Sequence, residues 1–264
     1  MTAPPPFSWT GAGLHAEVLA GAGLLAGLYA GAWLVHRGAR PWGPPVLFGS
    51  ALLALVGALN GPLHDLSDHY LFSAHMVQHL VLALVVPPLL LAGTPRWMAD
   101  VVLEPVLAWR PAAGLARLVT RPLVALTIYS ATMAVWHLPP IYGVALDLHA
   151  WHIVQHLTML VTATVAWWPI LSPASRLPAL PYAAQLLYVF VFGIPMTVVA
   201  ALVTGAEHVL YPFYEAAPRV AGLTPLEDQR LGGLIMWVPA GIVPLVVFTV
   251  VYFRWVAAEA EEFV

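Results

Sequence analysis

Long apolar runs are the feature that most constrains how this chain folds. Hydrophobic residues make up 61% of its 264 residues and charged residues only 9%, whereas a soluble domain carries roughly 25% charged residues. Several runs reach the ~20 residues that a helix needs to cross a bilayer. Because backbone groups in lipid must be satisfied within the segment, such runs predict α-helices. The composition therefore predicts an all-α, polytopic membrane protein.

The apolar runs predict a seven-transmembrane-helix bundle. The predicted spans are Leu14–Val35, Val46–Asn60, Tyr70–Ala92, Pro122–His137, Leu148–Leu171, Tyr182–Thr204 and Leu231–Trp255. A Pro87-Pro88 pair predicts a break in the third span. The charged stretch at about 97–119 is predicted to lie along the membrane interface, and a long loop is predicted at about 205–230. We expect residues 1–264 to form a single transmembrane domain.

The arginines predict the orientation of this bundle. Eight of the ten basic residues fall on one side of the predicted spans, and Arg219 and Arg230 fall on the other. Because cytoplasmic loops carry the excess of basic residues, the N-terminus is predicted outside and the C-terminus in the cytoplasm. The first apolar run is not preceded by a basic region, so no cleavable signal peptide is predicted. All basic residues are arginine, and the composition suggests a GC-rich bacterial genome, hence a bacterial plasma (inner) membrane.

Two classes of chemistry are excluded by the composition. The chain has no cysteine, which rules out disulfides and thiolate ligands. Its net charge is -3, and its sequence has no basic patch that resembles a nucleic-acid binding site. The partners expected at this level are the lipid bilayer and no nucleic acid.

Two histidine motifs with the same spacing point to metal chemistry. The hexapeptides HMVQHL and HIVQHL begin at His75 and His152. The second histidines, His79 and His156, lie four residues later, which places each pair on one helix face about 6 Å apart along the axis. Both pairs lie near the start of spans that run in the same direction, so their depths match. Since imidazole is the commonest protein ligand for borderline transition metals, the motifs predict a metal site between two helices.

Four further residues are candidate members of this site. His149 lies one turn before His152 on the same side. His137 ends the fourth span, where it either caps the helix or adds a ligand. Met236, near the start of the seventh span, could provide a thioether to Cu(I), although methionine is also a common packing residue. Asp228 lies just outside that span, where it either caps the helix or supports the metal.

Other interpretations of the paired histidines remain open. They could cross-link helices by hydrogen bonds or line a wet vestibule, although polar groups inside membranes are costly and usually functional. Two bis-histidine hemes would be only about 6 Å apart, so one or two metal ions fit the spacing better. A membrane di-metal oxidoreductase with histidine-box ligands is a rival, but no two histidines are adjacent here. A transporter would need ligands in the inner halves of the spans, which are almost purely apolar, and a structural subunit of a respiratory complex is a further alternative.

Several segments, taken in order, resemble the membrane-embedded CtaG family of cytochrome c oxidase assembly factors. They are LFSAHMVQH at 71–79, PPLLLAGTP at 87–95, WHLPPIY at 136–142 with AL at 145–146, HIVQH at 152–156, WWP at 167–169 and DQRLGGLIMW at 228–237. Together they extend over most of the chain. The resemblance implies a seven-helix protein that is needed for a mature heme–copper oxidase.

The resemblance and the motifs together favour copper as the metal. Ten of the eleven histidines fall in the outer half of the predicted bundle, which is the side on which the oxidase receives copper. We therefore expect an outward-facing His/Met site that holds one or two copper ions. The partners implied are a periplasmic copper carrier and heme–copper oxidase subunits. On this hypothesis the protein is an assembly factor and not an enzyme.

Overall fold

A computed structural model describes residues 7–9, 13–220 and 222–262 of the chain. The first six residues, on which the signal-peptide expectation partly depends, lie outside these ranges. Within them every regular element is a helix. The helices are α1 (Ala16–Val35), α2 (Gly43–Leu59), α3 (Gly61–His69), α4 (Phe72–Leu80), α5 (Val86–Gly93), α6 (Arg96–Ala108), α7 (Arg110–Val119), α8 (Pro122–Trp136), α9 (Pro139–Asp147), α10 (His149–Leu171), α11 (Tyr182–Phe192), α12 (Ile194–Thr204), α13 (Pro212–Ala216) and α14 (Pro225–Glu262), with a π-helical segment, Val81–Val85, between α4 and α5.

The described helices include five stretches that are long and apolar enough to cross a membrane. They are α1, the α4–α5 stretch, α10, the α11–α12 stretch and α14, and they correspond to the first, third, fifth, sixth and seventh predicted spans. The second and fourth predicted spans correspond to α2 and α8, each of which belongs to a bent pair, α2 with α3 at 44° and α7 with α8 at 75°. The described residues therefore contain five candidate spans, or up to seven if each bent pair crosses once. The seven-span count and the orientation stay predictions.

Three stretches that the sequence predicted as loops contain helix. The predicted loops at 61–69 and 138–147 are largely occupied by α3 and α9, and the loop at 205–230 contains α13 and the start of α14. Each of these helices has proline in its first turn. Proline is favoured there because its missing N–H has no intrahelical partner to lose. These prolines therefore start helices and do not only separate spans.

The Pro87-Pro88 pair leaves the third predicted span helical but changes its pitch. The turn before it is the π-helical segment, in which the Val86 N–H donates to the Val81 carbonyl five residues earlier. A proline ring clashes with the carbonyl four residues before it, and a π-bulge widens the turn at such a point. The carbonyl of Ala83 would have its donors at positions 87 and 88, which are both proline, and it accepts instead from Nε1 of Trp167 at 2.8 Å. An α10 side chain thus completes the backbone of the α4–α5 stretch.

Contacts between the long helices hold α4, which carries His75 and His79, inside the bundle. The last helix, α14, packs against α4, α11 and α12, while α10 packs against α5 and α8. Neighbouring helices approach closely at Gly232 and Gly233, since a Cβ at Gly232 would overlap the ring of Phe72 and one at Gly233 would overlap Thr204. Small residues allow such approach in membrane bundles. The helix that carries His75 and His79 is therefore pressed against the last helix of the chain.

The charged stretch at 97–119 forms two short helices, α6 and α7. A link to the segment after α10 is made by Ser175, whose N–H and Oγ donate to the Asp100 carboxylate at 2.8 and 2.6 Å. These two bonds hold the pKa of the Asp100 carboxyl below its usual value. The interfacial position of α6 and α7 stays a prediction.

Candidate metal centre

The two histidine pairs meet inside the bundle. His75 and His79 project from α4, His152 and His156 project from α10, and all four are buried. The Nε2 atoms of His75 and His79 are 2.8 Å apart, and those of His152 and His156 are 3.1 Å apart. Four-residue spacing on a helix produces both pairs. The predicted meeting of the two motifs is what the structure shows.

The pairs also face each other across the two helices. The ring centroids of His75 lie 5.2 Å from His152 and 5.5 Å from His156, and those of His79 and His156 are 5.6 Å apart. One nitrogen from each of His75, His152 and His156 lies within 4.8 Å of the other two. Ligands to one transition-metal ion stand about 2.0–2.1 Å from it. The three imidazoles are thus close enough to share an ion after small adjustments.

One end of His152 is fixed by a carboxylate. Its Nδ1 lies 3.5 Å from Oδ2 of Asp68, and Nε2 of His64 lies 3.3 Å from the same oxygen. A carboxylate can only accept, so it favours a proton on Nδ1 of His152 and leaves Nε2 with a lone pair. Carboxylate–histidine–metal arrangements orient ligands in this way.

One end of His75 is fixed by a tyrosine. The hydroxyl of Tyr214 donates to the backbone carbonyl of Ser67 at 2.7 Å, so its oxygen is free to accept from Nδ1 of His75 at 3.1 Å. A second tyrosine, Tyr142, lies 3.1 Å from the same hydroxyl. With its proton on Nδ1, His75 also directs a lone pair on Nε2 toward the other imidazoles.

Several buried polar atoms in the histidine motifs or beside them have no hydrogen-bond partner. They are Nδ1 of His79, Nε2 of His137 and both amide atoms of Gln155. His137 lies beside the centre, since its ring is 5.5 Å from that of His79, and its Nδ1 bonds the Met133 carbonyl at 2.6 Å. Orphaned buried polar atoms indicate an ion or ordered water in the native site. The residues present thus fit a metal ion or ions.

The predicted role of Asp228 as a cap is realised on a different helix. Because α14 begins at Pro225, Asp228 lies inside that helix and not before it. Its carboxylate accepts from the backbone N–H of Phe72 at 2.7 Å and from the N–H and Oγ of Ser73 at 3.2 and 2.5 Å. These groups belong to the first turn of α4, where a carboxylate satisfies free N–H groups and the helix dipole. Asp228 therefore positions the helix that carries His75 and His79.

Two other predicted site residues lie away from the four histidines or in the packed core. His149 is exposed at the start of α10, with Nε2 3.8 Å from Oε1 of Glu17. Met236 is fully buried in the main apolar core that also contains Phe72 and Met76. Its role as a copper ligand stays a prediction.

Three supporting residues were missed by sequence reasoning. His64 and Asp68 are four residues apart on α3. The sequence shows this spacing, but it predicts a loop there, in which the spacing would not bring the two side chains together. Tyr214 lies 139 residues from His75, so only the packing of the chain brings them together. A carboxylate one helical turn from a histidine was therefore the signal available for Asp68.

Comparison with known proteins gives a family. The sequence model described as cytochrome c oxidase caa3 assembly factor (Caa3_CtaG) matches residues 27–258. An uncharacterised protein of Mycobacterium leprae is 22% identical over 87% of this chain and 37% of its own length. Uncharacterised proteins of Mycobacterium bovis and Mycobacterium tuberculosis are each 24% identical over 70% of this chain and 30% of their own lengths.

The matched curated relatives are longer proteins, since this chain spans only about a third of their length. No solved structure gave a significant match. The family match, by contrast, extends from within α1 to the end region of α14, and so includes both histidine motifs and the helices that pack them. The chain belongs to the cytochrome c oxidase caa3 assembly factor family.

Proposed function

We propose that this protein is an assembly factor that handles copper for a cytochrome c oxidase, at the centre between α4 and α10. The observation that carries the proposal is the pair of Nε2–Nε2 distances, 2.8 and 3.1 Å, among buried histidines. Facing lone pairs repel unless a proton or a cation lies between them. Imidazole binds copper well in either oxidation state, and the pairs offer ligands for one or two ions.

The same centre suits temporary binding. It consists of neutral ligands on two helices, with His137 and Met236 as further candidates and no thiolate, since the chain has no cysteine. Such a set holds copper without the tight thiolate bonds that would hinder release. We infer that the site faces outward, that a periplasmic copper carrier supplies it and that oxidase subunits receive the ion. The protein then acts as a membrane-bound carrier and not as an enzyme.

The test compares two double variants that each remove two histidines. His79→Ala/His156→Ala deletes one imidazole from each pair, whereas His69→Ala/His208→Ala deletes two exposed imidazoles. Both proteins should insert, because removing imidazoles makes the chain more apolar. Copper in the purified protein, measured by mass spectrometry after chelator washing, should fall to background in the first variant and stay at the wild-type level in the second. Equal copper content in both would overturn the proposal.

A di-metal oxidoreductase is a second candidate because an apolar cavity reaches the centre. Leu25, Leu55, Leu82 and Leu160 line this cavity together with His152 and His156, and such walls suit an acyl or isoprenoid chain. The same metal analysis separates the candidates. Iron retained at the histidine centre in place of copper would favour the oxidoreductase.

A further inference from the structure

A second cluster of metal-binding side chains lies near the surface. His15 precedes α1, Glu17 is in its first turn, and His149 begins α10. Oε1 of Glu17 lies 3.1 Å from Nδ1 of His15 and 3.8 Å from Nε2 of His149. One ligand atom from each of the three lies within 4.8 Å of the other two. Two imidazoles and one carboxylate are a ligand set for borderline divalent ions such as Cu²⁺.

The position of His15 in this cluster is fixed by hydrogen bonds of the backbone around it. The N–H of His15 donates to Oδ1 of Asn60 at 2.7 Å, and the N–H of Gly61 donates to the carbonyl of Gly13 at 3.2 Å. These bonds join the start of α1 to the junction of α2 and α3. His15 is thereby held beside His64, with ring centroids 4.1 Å apart.

A cavity of about 330 Å³ connects this cluster with the buried centre. The histidines and the carboxylate along its wall are His15, Glu17, His149, His64, His152 and His156. The side chains of Glu17 and His149 are 50% and 63% exposed, whereas His152 and His156 are buried. Since a water molecule occupies about 30 Å³ in the liquid, the cavity is large enough for a partly hydrated ion.

We propose that His15, Glu17 and His149 form a second metal site, which binds Cu²⁺ and loads the buried histidines through this cavity. The loading step rests on the proposed function. It is a ligand exchange: bonds from copper to Glu17 and to the surface imidazoles break, bonds to Nε2 of the buried imidazoles form, and the oxidation state is unchanged. His64 lines the route, and Asp68, which contacts both His64 and Nδ1 of His152, keeps Nε2 of His152 available to the arriving ion.

The experiment titrates the full-length purified protein with Cu²⁺ alone. The test variant is Glu17→Gln/His149→Gln, and the matched control is Glu207→Gln/His208→Gln, which makes the same changes in another exposed Glu/His pair. Calorimetry counts bound ions, and the time course of chelator-resistant copper reports filling of the buried centre. The test variant should lose one class of sites, because losing even an outer partner of a metal lowers affinity at least about 10-fold. Since filling of the centre depends on occupancy of the surface site, it should slow by at least about 10-fold as well.

The outcomes separate the two proposals. Normal stoichiometry and normal filling in the test variant would overturn the surface site. Loss of the surface class with normal filling would overturn the loading step. His79→Ala/His156→Ala should keep the surface class and lose the chelator-resistant class. A wild-type protein with a surface class and no chelator-resistant class would overturn the proposed function while supporting the surface site.

Discussion

Asp68 shows how a side chain outside the two histidine motifs can orient the candidate metal centre. Its carboxylate contacts both His64 and His152, and the hydroxyl of the preceding residue, Ser67, donates to Oδ1 of Asp68 at 3.0 Å. A carboxylate behind an imidazole fixes the tautomer and raises the basicity of the ligand nitrogen. The acceptor strength of Asp68 should therefore affect copper affinity without any bond from Asp68 to copper.

The first prediction follows from this contact. Asp68→Asn keeps the size of the side chain but removes the charge, so His152 loses its fixed acceptor, and copper affinity should fall by about 10-fold to 100-fold. Competition with a chromophoric chelator measures the change. Asp65→Asn on the same helix is the control and should leave the affinity unchanged. An equal loss in both variants would show that the general charge of α3, and not the contact with His152, is responsible.

The α4–α5 stretch depends on a neighbouring helix, α10, for one hydrogen bond to its backbone. Pro87 and Pro88 remove the N–H groups that would reach the Ala83 carbonyl, and Trp167 donates in their place. A second indole, that of Trp168, donates to the Leu177 carbonyl at 2.9 Å, but that carbonyl also accepts from Oγ of Ser172. The two tryptophans thus make the same kind of bond, but the Leu177 carbonyl keeps a second donor, Ser172, if its tryptophan is lost.

This difference gives the second prediction. Trp167→Phe leaves the Ala83 carbonyl buried without a donor, which should cost about 1–3 kcal/mol in addition to the lost packing. Trp168→Phe should cost less, because Ser172 still donates to Leu177. Thermal unfolding of the purified variants, followed by circular dichroism, compares them directly. A larger fall in Tm for Trp168→Phe would contradict this account of the π-helical segment.

Sequence reasoning was strongest where one element carries the whole signal. Apolar runs predicted the long helices, and four-residue spacing predicted the two histidine pairs, because both depend on local periodicity. It did not predict contacts between single residues on distant elements. The bond from Phe72 to Asp228 joins residues 156 positions apart, and the contact of Tyr214 with His75 depends on the packing of α13. Short helices such as α3 and α9 were not predicted, because nine residues give a weaker periodic signal than a long apolar run.

At the scale of the whole molecule, the orientation can be tested with single cysteines, since the chain has none of its own. His69 and Ala216 are exposed at the end of the bundle predicted to face outward, and Ala39 is exposed at the opposite end. A membrane-impermeant maleimide added to intact spheroplasts should label His69→Cys and Ala216→Cys, and Ala39→Cys should be labelled only after lysis. The reverse pattern would place the metal centre on the cytoplasmic side.

The carboxylate that caps α4 has a consequence for the order of events during synthesis. Both histidine pairs leave the ribosome before Asp228 and Tyr214 do, because they precede them in the chain. Until those residues are translated and α14 packs, the first turn of α4 lacks its acceptor and His75 lacks the hydroxyl that fixes its proton. A nascent chain thus displays the imidazoles without the groups that orient them. On the proposed function, firm retention of copper is therefore expected only after α14 has been translated and packed against α4.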